Sequence, residues 1–107
     1  MFISYEVSLE VVASLRSLLP QLERNDRDLA DQLKRAASSV VLNLAEGQRL
    51  TKGNKTKHYA IAHGSANEVR AAIRTALAWG WIEDASQQLA LLDRLLALLW
   101  RLNHPRS

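Results

Sequence analysis

The chain contains no cysteine. That excludes a disulfide framework and any thiolate metal site, and it fits a reducing compartment. No stretch approaches the roughly 20 uninterrupted apolar residues that a membrane span requires. The opening MFISYEVSLE is interrupted by Glu6 and Glu10, and no basic region precedes an apolar run, so it does not read as a secretion signal. A soluble, cytoplasmic protein with no membrane partner is the expectation. Strand alternation, internal repeats and low-complexity tracts are all missing.

Catalytic signatures are equally scarce. There is no HExxH, no Gly-x-Ser-x-Gly and no cysteine nucleophile. His58 and His63 are five residues apart, so on a helix they diverge by about 140° and cannot share a metal as an i, i+4 pair can. The run from Gly47 to Thr56 superficially resembles a phosphate-binding P-loop. It has one residue too many between its glycines, an inserted Asn54, and a helix where a strand should stand. No catalytic residue, no metal and no cofactor is expected, and the chain does not read as an enzyme.

What the sequence does carry is helical periodicity. Leu29, Leu33, Ala36, Ala37, Val40 and Leu44 recur at steps of three and four, which places them on one apolar face. Arg35, Ser39, Asn43 and Glu46 step by four, four and three, and share a sector roughly 80° wide. An arginine, a serine, an amide and a carboxylate in one line suit a polar seam between packed helices, where each group must find a partner. Gly47 is expected to end this helix as a left-handed cap.

Four helices are predicted, joined by short connections, which makes the fold all-α and an antiparallel up-down four-helix bundle. With 107 residues and 48% apolar content, residues 1–107 form one domain with one modest core. The first helix spans about Tyr5 to Leu18, with Ser4 as its candidate cap, and Pro20 either ends it or sits in its frayed last turn. Gln21 to Asn25 then turn the chain. The second starts at Asp26, whose carboxylate suits an N-cap. The third runs from near Asn54 to Trp79, burying Tyr59, Ala62, Ala66, Val69, Ile73 and Leu77, and Gly80 ends it. The fourth follows Asp84 to about Leu102, leaving His104 to Ser107 as a tail.

Inside the third helix, Gly64 beside Ala62, Ser65 and Ala66 is expected to let the second helix approach closely. That docking would set Glu68 against Arg35, with Asn43 and Ser65 completing the network. A ligand resting on the same surface is the functional alternative. The fourth helix spreads Leu89, Leu91, Leu92, Leu95, Leu96, Leu98, Leu99, Trp100 and Leu102 over roughly 200°, about twice what one seam uses. The excess predicts a second contact, most simply with another copy of the chain.

The net charge of +3 conceals an asymmetry. Residues 1–31 balance at −3, residues 32–67 at +5 and residues 68–107 at +1. The candidate phosphate-binding cations are Arg49, Lys52, Lys55 and Lys57, with Lys34, Arg70 and Arg74. Such a surface attracts polyanions by counterion release without reading sequence. A solvated loop that keeps the protein soluble is the alternative. Only His58 and Tyr59 are placed to stack between bases, so base-specific readout is not expected.

Arg35-Ala36-Ala37, Ser39 and Asn43-x-Ala45-Glu46-Gly47, followed by Ala62-x-Gly64-Ser65-x-x-Glu68, resemble the bacterial "four helix bundle protein" family. That family is also called the S23 or 23S rRNA intervening-sequence protein family. The resemblance covers about Leu15 to Ile82, and the combined pattern is moderately specific. One departure is the Val41-Leu42 pair, where the family usually has proline and a small residue before the asparagine. Any kink in the second helix is therefore not carried over. The resemblance implies an all-α bundle that forms ring-like pentamers, without an assigned activity. Distant relatives are accessory proteins of diversity-generating retroelements, which bind nucleic acid and a reverse transcriptase. A homo-oligomeric scaffold with a basic surface for RNA or DNA is thus the first functional expectation. A protein-interaction adaptor with no nucleic-acid role is the second.

Overall fold

The computed structural model describes residues 2–105. The side chain of Lys52, one of the expected phosphate-binding cations, lies outside the described residues, as do Arg106 and Ser107 of the expected tail. Five helices make up the fold: α1 (Ile3–Leu15), α2 (Leu19–Asn25), α3 (Arg27–Arg49), α4 (Lys52–Trp79) and α5 (Ser86–Asn103). The all-α class holds, with no strand among the described residues.

The additional helix is α2, where a terminator and a turn were expected. Pro20 sits in its first turn, where the missing N–H is one the helix would leave unpaired anyway and the fixed φ is already helical. Leu22, 1% exposed, anchors the short helix into the core. Asp26 then caps α3 as anticipated, its side chain accepting from the Leu29 N–H at 3.0 Å. Ser4 is not a cap. It is buried inside α1, which starts after Phe2 without any side-chain cap.

Contacts between helices give their directions. Ser39 meets Ser65 and Asn43 meets His58, so α3 and α4 run oppositely. Asn103 donates to the Tyr59 carbonyl at 3.0 Å while Arg70 and Asp93 lie 4.0 Å apart, so α4 and α5 also run oppositely. Gln88 donates to the Ser14 carbonyl at 2.8 Å, which ties the start of α5 to the end of α1. Helix α1 packs on α5 and α3, and α2 packs on α3. The result is a rod of 44 × 22 × 21 Å.

The core follows the predicted stripes. Leu33, Ala36, Ala37, Val40 and Leu44 of α3 are buried with Tyr59, Ala62, Ala66, Val69 and Ile73 of α4. On α5, Leu92, Leu95 and Leu99 are buried, and Leu89, Leu91, Leu96, Leu98 and Leu102 are half-buried against the same core. Most of the wide apolar arc is thus used within the chain. Trp100 remains 54% exposed and stacks on His104 at 4.2 Å.

Two glycines take roles that differ from each other. Gly80 has φ of 78° and closes α4 in the left-handed conformation, as predicted. Gly47 does not. It lies within α3, which continues to Arg49, and its φ is not positive. A Cβ there would meet Cε1 of Tyr59 at 2.6 Å and Cδ1 at 2.9 Å, so its use is close approach to an aromatic ring.

Candidate functional site

The seam between α3 and α4 holds a chain of hydrogen bonds. Asn43 Nδ2 donates to the Ser39 carbonyl at 2.8 Å and to Ser39 Oγ at 3.1 Å. Its Oδ1 therefore faces His58 Nδ1, 2.8 Å away. A carbonyl oxygen only accepts, so Nδ1 of His58 carries the hydrogen. Ser39 Oγ also shares a hydrogen bond with Ser65 Oγ at 2.8 Å, in which either hydroxyl can donate. Among the described residues no buried side-chain polar atom is left without a partner.

Ser39, Asn43 and Ser65, three of the six residues expected in the network, are bonded to one another, and His58 joins them. The sequence offers His58 only as a residue placed to stack between bases. The missed signal was spacing: His58 and Ser65 are seven residues apart and share a helix face. Three other expectations for the seam fail. Arg35 and Glu68 form no ion pair, and both are exposed. Glu46 instead makes a surface pair with Arg49, N to O 2.8 Å, one turn along the same helix. Gly64 has nothing within 4 Å of where a Cβ would sit, so the close approach falls at Gly47 instead.

The reason is that the seam opens away from Asn43. A surface groove of about 650 Å³ runs along the α3–α4 seam, lined by Leu29, Gln32, Arg35, Ala36 and Ser39 on one side and by Ser65, Glu68, Ala71, Ala72 and Thr75 on the other. Alanines along its floor are too short to fill the space. Arg35 and Glu68 stand on opposite walls.

The expected basic surface is divided. Lys34 pairs with Glu23 and Asp31, each at 3.5 Å. Arg49 is held by Glu46, and Arg70 lies 4.0 Å from Asp93. Lys57 and Arg74 are exposed and make no ion pair among the described residues, and Lys55 is half-buried. Lys34 is about 22 Å along α3 from Arg49, and Arg74 about 25 Å along α4 from Lys57, at 1.5 Å per residue. The cations nearest one another along the chain are those at the α3–α4 connection, Arg49, Lys55 and Lys57, with the backbone of Lys52. Surface pairs of this kind are worth little and exchange readily for other anions.

Two groups have displaced titration. Burial pushes the Tyr59 phenol up. The Ser86 hydroxyl and backbone N–H both donate to Asp84, which holds its carboxyl below the usual range at the start of α5. Among the described residues no group of three or more histidine or acidic side chains is placed to hold a metal ion. No helix among them is long and apolar enough to cross a membrane.

No curated protein and no solved structure matches the chain. The family description does match, over residues 2–101, as 23S rRNA-intervening sequence protein. That span takes in the α3–α4 seam, the basic connection and nearly all of α5. The chain belongs to the 23S rRNA-intervening sequence protein family.

Proposed function

We propose that this protein is a non-enzymatic, cytoplasmic scaffold that self-associates and offers a repeated basic surface to the phosphates of RNA or DNA. In this reading the four long helices form an up-down bundle, with α2 as an elbow, and the copies assemble as a pentameric ring. One observation carries the nucleic-acid role. Arg49, Lys55 and Lys57 cluster at the α3–α4 connection of a segment with a balance of +5, while residues 1–31 balance at −3. A ring repeats that cluster in every copy, and tethered repeats raise the effective concentration of each contact.

Gel-shift titration against a generic RNA and a duplex DNA tests this reading. Affinity should fall steeply between low and moderate salt, each phosphate contact contributing about −0.9 to the log–log slope on duplex DNA. The Lys52→Gln, Lys55→Gln, Lys57→Gln variant should bind more weakly with a flatter slope and unchanged helicity. Absence of binding by the parent at low salt overturns the nucleic-acid role. Binding that survives the triple substitution moves the site to Arg70 and Arg74.

The second reading is a protein-interaction adaptor without nucleic acid. It is favoured by the acidic partners already occupying Lys34, Arg49 and Arg70 within the chain.

A further inference from the structure

The two rings that the sequence offers for stacking are not free to do it. Tyr59 is buried, 6% exposed. His58 is half-buried and held by its Nδ1 in the α3–α4 seam. An open ring does stand at this end of the rod: Trp100, 54% exposed, near the end of α5. One face of its indole is covered by the His104 imidazole, with planes within 14° of parallel. His104 is itself fixed, since its Nδ1 lies 2.9 Å from the Trp100 carbonyl, an oxygen that only accepts. The indole is thus braced from behind, and its exposure falls on the opposite face and the edge. A braced ring loses little freedom when another flat ring lies on it.

Asn103 places this ring relative to the basic connection. Its side-chain amide donates to the Tyr59 carbonyl at 3.0 Å and to the Leu99 carbonyl at 2.8 Å, which pins the last turn of α5 near the start of α4. Lys55 stands four residues before Tyr59, and Trp100 three before Asn103, on oppositely running helices. At 1.5 Å per residue they are about 10 Å apart along the rod, a span that a few nucleotides of one strand cover. Arg101 follows Trp100, exposed and without an ion pair among the described residues. Against Arg49, Lys55, Lys57 and Arg101 this end sets Glu6 and Glu46, and Glu46 is already bonded to Arg49. On α5 the carboxylate nearest to Trp100 is Asp93, two turns away and beside Arg70.

We infer that Trp100 is a stacking platform for an unpaired base, so that the nucleic acid taken by this surface is single-stranded, with its phosphates on the cations of the α3–α4 connection. An indole face accepts any base, and a basic track beside an aromatic ring holds a single strand without reading its sequence. Bases inside a duplex are covered on both faces by their neighbours and have no face to give; only a base splayed out of its stack can lie on the ring. The inference rests on the nucleic-acid role proposed above and specifies the form of nucleic acid.

Fluorescence anisotropy of dye-labelled oligonucleotides tests it, with circular dichroism for helicity and light scattering for mass. The probes are a deoxythymidine strand, an abasic strand with the same number of phosphates, and a duplex. The parent should bind the deoxythymidine strand about tenfold more tightly than the abasic one. Trp100→Leu should remove that preference with helicity and mass kept, and Trp100→Phe should retain part of it. Its loss should be equal at low and moderate salt, because stacking releases no counterions, whereas substituting the lysines flattens the salt slope. Affinity for the duplex should be indifferent to Trp100→Leu. No binding of any probe by the parent at low salt overturns the nucleic-acid role and the platform together. Equal affinity of the parent for the deoxythymidine and abasic strands, a Trp100→Leu protein that keeps the preference, or an equal loss on the duplex overturns the platform and leaves the basic surface standing. A Trp100→Leu protein that loses mass along with affinity assigns Trp100 to a contact between protein chains and overturns the platform as well.

Discussion

The two halves of the α3–α4 seam are built from similar parts and end up in opposite states. Toward the connection, Gly47 lets the Tyr59 ring press against α3, and Ser39, Asn43, His58 and Ser65 close every hydrogen bond between them. Toward the other end the same helices carry Arg35, Glu68 and a line of alanines, and a groove remains. Small residues do not by themselves bring helices together. They do so where a ring or a bonded polar pair occupies the space they leave. Where the facing residues are also small, or long and charged, the helices still pack through Leu33, Val69 and Ile73, but their outer edge is left as a groove with the charges at its rim.

The largest expected effect breaks the closed half. Gly47→Leu forces several carbons into space held by Tyr59, which is buried, packed by Phe2 at 6.0 Å between ring centroids, and bonded through its carbonyl to Asn103. Overpacking of a fixed site costs about 2–3 kcal/mol, and urea unfolding should register it against the parent. A Gly47→Leu protein as stable as the parent would mean that Tyr59 is free to leave its place. Next comes Asn43→Ala, which removes the only group joining His58 to Ser39. The stranded partners are half-buried, so the loss should be about 1–2 kcal/mol in the same titration. Adding Ser39→Ala to it should cost less than the two single changes together, because they share one chain of bonds. The smallest effect belongs to the open half. Arg35→Ala, followed by denaturant on dilute protein, should change protomer stability by no more than about 0.5 kcal/mol. The buried pair expected from sequence would have cost about 3–5 kcal/mol, so this substitution discriminates sharply between a closed and an open groove.

The legibility of this chain divides along physical lines. The stripes of α3 and α4, the Asp26 cap and the Gly80 stop are local, and periodicity and capping chemistry reveal them. Family membership was legible too, from the two short motifs on the seam. Gly47 was misread because a glycine near a helix end suits a left-handed cap and a close approach equally well. Only the partner, Tyr59, decides between them, and it is supplied from another helix. Pro20 has the same ambiguity, since proline both ends helices and begins them. The Arg35–Glu68 pairing failed for a different reason. Periodicity assigns residues to a face but does not say how far apart two faces settle, and that distance depends on what lines the floor. His58 was readable from its spacing to Ser65, since an imidazole offers both a face for stacking and a ring nitrogen that donates.

Stacked indoles lend the molecule a built-in optical gauge. Trp79 and Trp81 lie nearly parallel at 5.5 Å, straddling the left-handed turn at Gly80. Trp100 stacks on His104 at the opposite end of the rod, beside Asn103 and the Tyr59 carbonyl. Transitions of the close pair couple to each other, whereas Trp100 is electronically alone with an imidazole. Near-ultraviolet dichroism therefore reports on the α4–α5 corner. In a Trp79→Phe, Trp81→Phe background, emission from Trp100 reports on the end that carries the basic connection, so a ligand arriving there is visible without any label.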